Sequence, residues 1–193
     1  EARNTPAQDL SKLSFPYRLL KEVSRSFYLT LRVLPAPVRP QIGLAYLLAR
    51  ASDTIADTEI IPVTDRLEAL QGFRRRLFEV DPEPFPLKEF VLHQGLPGER
   101  LLLRRIDEAF AALDKLDTAD QRGIREVLAT ITSGQELDLQ RFAYAGVNCV
   151  VPLKTDHELD DYTYRVAGCV GEFWTKMCRA HLFPSASLDE GQL

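Results

Sequence analysis

The sequence predicts an all-α fold, on three observations. Apolar residues recur at steps of three and four rather than two. Proline-rich turns separate the periodic stretches at helix-length intervals. Three segments have the hydroxyl-x-x-acid or amide pattern of a capping box: Thr118-Ala119-Asp120-Gln121, Thr155-Asp156-His157-Glu158 and Ser187-Leu188-Asp189-Glu190. No strong strand-like alternation and no internal repeat interrupts this pattern. At 193 residues, 45% of them apolar, the chain has the length of one ordinary domain and buries a sizeable core.

In chain order, residues from about Pro16 to Leu34 read as one helix or two short ones. The segment Leu34-Pro35-Ala36-Pro37-Val38-Arg39-Pro40 is a turn. A long helix follows from about Pro40 to Asp57, with Ile42, Ala45, Tyr46, Ala49 and Asp53 along one stripe. Pro62 ends that region, and Thr64 or Asp65 is positioned to cap a helix reaching about Val80. Asp81-Pro82-Glu83-Pro84-Phe85-Pro86 is a loop. Helices are expected over Leu87 to His93, Gly98 to Leu116, and from the Thr118 box to about Phe142. Residues Ala143 to Lys154 look irregular. The Thr155 box opens a last helix through Asp160, Tyr164 and Gly168 to about His181. The Ser187 box stands almost at the end, at Leu193, and implies a helix that continues in the natural protein.

Composition excludes several function classes. The net charge of −4 argues against general nucleic-acid binding, which needs a clustered basic surface. Arg74, Arg75 and Arg76 are successive and do not share a helix face, so they read as solvated surface. Cys149, Cys169 and Cys178 form no CxxC pair, which suggests reduced thiols and a cytoplasmic location. His93, His157 and His181 are dispersed, make no zinc motif and are assigned no role. No apolar run is long enough to span a bilayer, which leaves peripheral membrane association open.

The segment Arg50-Ala51-Ser52-Asp53-Thr54-Ile55-Ala56-Asp57 carries the chemistry. Asp53 and Asp57 are four residues apart, so a helix sets both carboxylates on one face. Like charges at that spacing weaken a helix by a few tenths of a kcal/mol. A hard divalent cation offsets the repulsion, because Mg²⁺ prefers carboxylate oxygens, water and substrate phosphate. Arg50, one turn earlier, either tethers Asp53 or offers a guanidinium fork to a diphosphate. On the residues alone an acidic pair of this kind also occurs on solvated surfaces.

Two further segments accompany it. Ser24-Arg25-Ser26-Phe27 offers hydroxyls and a guanidinium at a helix start, an anion pocket or an ordinary cap. In Tyr162-Thr163-Tyr164-Arg165-Val166-Ala167-Gly168-Cys169-Val170-Gly171, two glycines stand three apart in a helix interior, each costing roughly 1 kcal/mol relative to alanine. They clear a groove for a ligand tail or for a close-packed neighbouring helix. Tyr162 is either a core tyrosine or a polar group aimed into a cavity.

Taken in order, Ser24-Arg25-Ser26-Phe27, Asp53-Thr54-Ile55-Ala56-Asp57 and Tyr162 followed by Val166-Ala167-Gly168-Cys169-Val170-Gly171 resemble the squalene/phytoene synthase family. Gly134-Gln135-Glu136-Leu137-Asp138-Leu139 resembles another segment of that family. An aspartate followed by threonine, rather than paired aspartates, resembles its squalene synthase branch more closely. The similarity runs from about Pro16 to Leu193.

The resemblance implies a single-domain isoprenoid synthase helical fold around a central cavity. It implies head-to-head joining of two farnesyl diphosphates to presqualene diphosphate, then reduction by NADPH to squalene. Asp53 and Asp57 would hold Mg²⁺ and take part in catalysis. Ser24, Arg25, Ser26 and Arg50 would contact diphosphate. Phe27 and Tyr46 would line the cavity, and Tyr162 would assist proton transfer. Val166, Ala167, Gly168, Val170 and Gly171 would form the tail groove. The family's second aspartate-rich motif is expected just past Leu193, so the 193 residues are expected to be an N-terminal portion, inactive alone. The rival readings are a phytoene or dehydrosqualene synthase, and a non-catalytic assembly factor of the same fold.

Overall fold

The computed structural model describes residues 17–24, 27–79, 86–143 and 149–185. Every regular element among them is helical. A 3-10 turn over Tyr17–Leu19 leads into α1 (Leu20–Val23), and α2 spans Phe27–Val33, so the first region is a set of short pieces. The proline-rich turn holds, and Arg39 reaches back to donate to the Leu34 carbonyl. Helix α3 runs over Arg39–Ala56, with Pro40 in its first turn, where a missing N–H does no harm.

Two stripes on α3 organise the domain. Leu44, Leu47, Leu48, Ala51 and Ile55 are fully buried. They belong to one core with Leu70 and Phe73 of α4 (Val63–Phe78), Phe110 of α7 (Ile106–Leu113), and Ile124 and Leu128 of α8 (Thr118–Arg141). The Phe73 and Phe110 rings meet at 5.2 Å, tilted by 57°. Each such side chain contributes roughly 1.5–3 kcal/mol by leaving water. The second stripe, Ile42, Ala45, Tyr46, Ala49 and Asp53, faces a cavity instead. Helix α8 packs on α3, α4 and α10 (Cys169–Leu182), and so closes one side of both core and cavity.

Several expected boundaries shift. Thr64 and Asp65 do not cap α4; Pro62 stands at the cap, and the Thr64 hydroxyl donates to Asp65 instead. The Thr118 box does not form either. Asp117 precedes α8 without a side-chain cap, and the Gln121 amide donates to the Asp114 and Leu116 carbonyls of the preceding turn. The helix expected over Gly98 to Leu116 breaks at Arg105 (φ −116°, ψ 25°) into α6 (Pro97–Arg104) and α7. Helix α5 spans Lys88–His93 as expected. The Thr155 box forms: its hydroxyl accepts from the Glu158 N–H at 3.1 Å, and Glu158 accepts from the Lys154 N–H.

The three arginines are not all solvated. Arg74 pairs with Glu136 of α8 at 3.0 Å, and Arg76 lies over the Phe110 ring and approaches Asp114. The last expected helix divides into α9 (Asp156–Thr163), a π-helical turn (Tyr164–Gly168) and α10. The His181 ring meets the buried Asp120 carboxylate at 2.7 Å, which ties α10 to α8. The Asp81–Phe85 part of the expected loop, most of Ala143 to Lys154's first half (residues 144–148) and the Ser187 box lie outside the described residues. All three cysteines are free thiols.

Candidate active site

The cavity beside α3 measures about 240 Å³ and is mostly apolar. Its walls come from the second stripe of α3, from Val127 and Ile131 of α8, and from Val166, Val170, Phe173 and Trp174 across the π-helical turn and α10. Phe27 of α2 completes it, stacked on Tyr46 at 5.1 Å and edge-on to Trp174 at 6.4 Å. Offset and edge-to-face aromatic packing of this kind stiffens a wall without filling the space in front of it.

At one end of this apolar space stand the charges. Asp53 lines the cavity, half-buried, and accepts the Gln135 amide of α8 at 2.5 Å. Burial first, and the neighbouring Asp57 second, hold the Asp53 carboxyl above the ordinary carboxylate range; Arg50 and Gln135 pull it back. Asp57 sits at the C-cap of α3, its N–H bonded to the Asp53 carbonyl at 2.8 Å. A negative side chain there adds to the negative end of the helix dipole. Arg50 is committed elsewhere: its guanidinium pairs with Glu99 of α6, which is only 6% exposed. Asp57, Arg50 and Glu99 also border a second, polar cavity of about 300 Å³, with Thr54, Thr58 and His93.

These residues fit a magnesium ion. The donors are hard carboxylate oxygens whose mutual repulsion Arg50 and Gln135 offset only in part, and among the described residues the Gln135 Oε1 beside them is buried without a hydrogen-bond partner. Among the described residues no cluster of three or more candidate ligands occurs. Two protein carboxylates with the remaining positions left to water and phosphate is the pattern Mg²⁺ favours.

Other expected site residues fall differently. Phe27, Tyr46, Arg50, Val166 and Val170 gather at the cavity with Asp53. Ser24 is buried at the end of α1, not at a helix start, and its hydroxyl donates to the Leu20 carbonyl of its own helix. Arg25 and Ser26 lie outside the described residues. Tyr162, on α9, is half-buried and is not a cavity wall. Ala167, Gly168 and Gly171 are exposed. A Cβ at Gly168 would meet the Tyr164 ring of its own turn at 3.0 Å, and one at Gly171 would meet nothing within 4 Å.

Sequence reasoning missed the wall residues Val127, Ile131 and Phe173, and with them Gln135, Glu99 and Trp174. Gln135 and Glu99 reach the site from 82 and 49 residues along the chain from their partners, and only the family-like Gly134-Gln135-Glu136 segment hinted at the first. Trp174 was visible as the single tryptophan, four residues after Val170 on the same helix face.

A profile for squalene/phytoene synthase matches residues 20–191. The chain is 28% identical over 159 residues to inactive squalene synthase 2 of Arabidopsis thaliana, covering 82% of this chain and 34% of that protein. It is 28% identical over 177 residues to the bifunctional lycopene cyclase/phytoene synthase of Phycomyces blakesleeanus, covering 90% of this chain and 26% of that protein. A solved squalene synthase structure, the complex of TcSQS with the ligand E5700, superposes with a TM-score of 0.67 at 28% identity, covering 91% of this chain and 45% of that one. The chain thus spans about a quarter to a third of the length of the curated relatives it matches. With its helical fold, its cavity and a profile match over nearly all of its length, the chain belongs to the squalene/phytoene synthase family of isoprenyl transferases.

Proposed function

We propose that the protein is a squalene synthase-type transferase that joins two farnesyl diphosphates head to head to presqualene diphosphate and, with NADPH, forms squalene. One observation supports this above the others: Asp53 stands at the wall of an apolar cavity with Asp57 one helical turn further on. A carboxylate beside a space suited to a hydrocarbon tail, with a second one turn further along the helix, supports this reading.

Each residue has a part in this reading. Asp53 and Asp57 hold Mg²⁺, which supplies the positive charge that lets an allylic diphosphate ionise. Arg50, fixed by Glu99, keeps a cation near the diphosphate without collapsing onto Asp53. Phe27, Tyr46 and Trp174 exclude water from the tail and keep aromatic rings close to developing positive charge. Val166 and Val170 press the tail against α3 and α8. Tyr162 and Ser24 enter through the resemblance, since neither is placed at the cavity wall. The sequence has no G-x-G-x-x-G turn for a dinucleotide, and the reductive half rests on the resemblance alone.

The test is to incubate the natural full-length protein and its Asp53→Asn variant with farnesyl diphosphate, Mg²⁺ and NADPH. Squalene from the parent and its loss in the variant are expected. A dehydrosqualene- or phytoene-type product without need of NADPH selects that branch of the family, whose relative is equally similar. No product from any prenyl diphosphate leaves the non-catalytic reading, in keeping with a relative that is named inactive.

A further inference from the structure

We propose that Gln135 is the positioning residue of the carboxylate site: it fixes the orientation of Asp53 and offers an acceptor to the hydration shell of the cation. This rests on the proposed function, because it assigns Asp53 to cation binding.

The placement of Gln135 is over-determined by its neighbours. Four successive residues of α8 engage three different elements. Ser133 accepts from Arg165 of the π-helical turn at 2.6 Å. Gly134 lies against the Arg165 side chain. Gln135 donates to Asp53 of α3, and Glu136 accepts from Arg74 of α4. A backbone held on three sides gives the amide little freedom to leave Asp53.

Chemistry fixes which way the amide points. An ionised carboxylate only accepts, so the NH₂ must face Asp53 Oδ1. No described protein group donates to Oδ2, which therefore remains for a ligand. The amide oxygen is then left buried with no partner among the described residues. Buried acceptors of this kind are normally satisfied. A Mg²⁺ ion keeps several of its waters, and each is a strong donor. Arg50 does not substitute for Gln135, because its guanidinium is engaged by Glu99.

The experiment titrates Mn²⁺, as the spectroscopic stand-in for Mg²⁺, into the full-length protein with inorganic diphosphate present. Free Mn²⁺ is read by electron paramagnetic resonance and unfolding midpoints are read in parallel without metal. Gln135→Met keeps the length of the side chain and removes both donor and acceptor; Gln135→Ala replaces it should the first not fold. Either is expected to weaken Mn²⁺ binding about tenfold. Glu136→Gln loosens the same turn of α8 through Arg74 without touching Asp53, and its Mn²⁺ affinity should stay within about twofold of the parent's. Parent-like binding by the Gln135 variants overturns the inference alone, and so does an equal loss in Glu136→Gln. A parent that binds no Mn²⁺ overturns the proposed metal site, and the inference with it.

Discussion

A Cβ placed on Gly134 would lie 2.9 Å from the Cβ of Arg165, so α8 and the π-helical turn touch through the absence of a side chain. Arg165 exploits that approach. Its guanidinium donates to Ser133 and to Asp161, tying the turn to α8 and to α9 at once. The extra residue of the π turn lies in the same stretch as Val166, which forms part of the cavity wall. Wide turns of this kind recur at functional sites.

Gly134→Ala and Gly171→Ala should therefore act in opposite directions. At Gly134 the atom met is another Cβ, which has no flexible end to move, so backbone must shift. Overpacking of about 1–3 kcal/mol outweighs the helix propensity that alanine gains. At Gly171 there is open space within 4 Å, and alanine should stabilise by about 0.5–1 kcal/mol. Urea unfolding midpoints of the two variants check both signs.

Asp53→Asn should stabilise the metal-free protein at neutral pH, by roughly 0.5–1 kcal/mol. The folded-state pKa of Asp53 is raised by burial and by Asp57. The folded form then binds the proton more tightly than the unfolded chain does. This contribution to stability is fully present below the unfolded pKa and is lost as pH rises through the folded value. The variant should lack that decline, and unfolding midpoints followed from about pH 4 upward would register it. An equal decline in parent and variant would assign the pH dependence to other groups.

Glu99→Ala should cost about 1–3 kcal/mol, because it strands the Arg50 guanidinium in a partly buried position. Freed from Glu99, Arg50 is expected to turn toward Asp53. The variant should then lose divalent-cation affinity as well as stability, and calorimetric titration separates the two effects.

Trp174 is the only tryptophan in the sequence and stands in the cavity wall against Phe27. Its fluorescence should change when a farnesyl thiodiphosphate analogue enters with Mg²⁺. Trp174→Phe should abolish the signal while keeping an aromatic wall, with the analogue still bound by calorimetry within about threefold.

The helix that carries the carboxylates was legible because it obeys one period over eighteen residues, and proline and aspartate mark its ends. Its cavity stripe, from Ile42 to Asp53, followed from the same arithmetic. The failed caps show the limit of local patterns. Thr118 begins α8 without capping it because Gln121, free to reach backward, found two open carbonyls in the turn before. The π turn leaves no compositional mark, and its effect on Val166 and Ala167 could not be counted from a period of 3.6. The glycines at 168 and 171 drew attention as sites of close approach, whereas the tight crossing is at Gly134, whose partner is 31 positions away in the chain. Gln135 and Glu99 are likewise products of tertiary packing.

Thirteen of the eighteen residues of α3 are buried, and those that face the cavity alternate with those that face the core. A substitution on this helix is therefore judged twice, once by the fold and once by the chemistry. Val166 and Tyr164 are 47% and 44% exposed, and α9 buries no residue. Of these only Val166 lines the cavity, and a substitution there meets only the second of the two tests. The carboxylate helix is thus bound by packing and charge together, whereas Val166 answers chiefly to the shape of the cavity it lines.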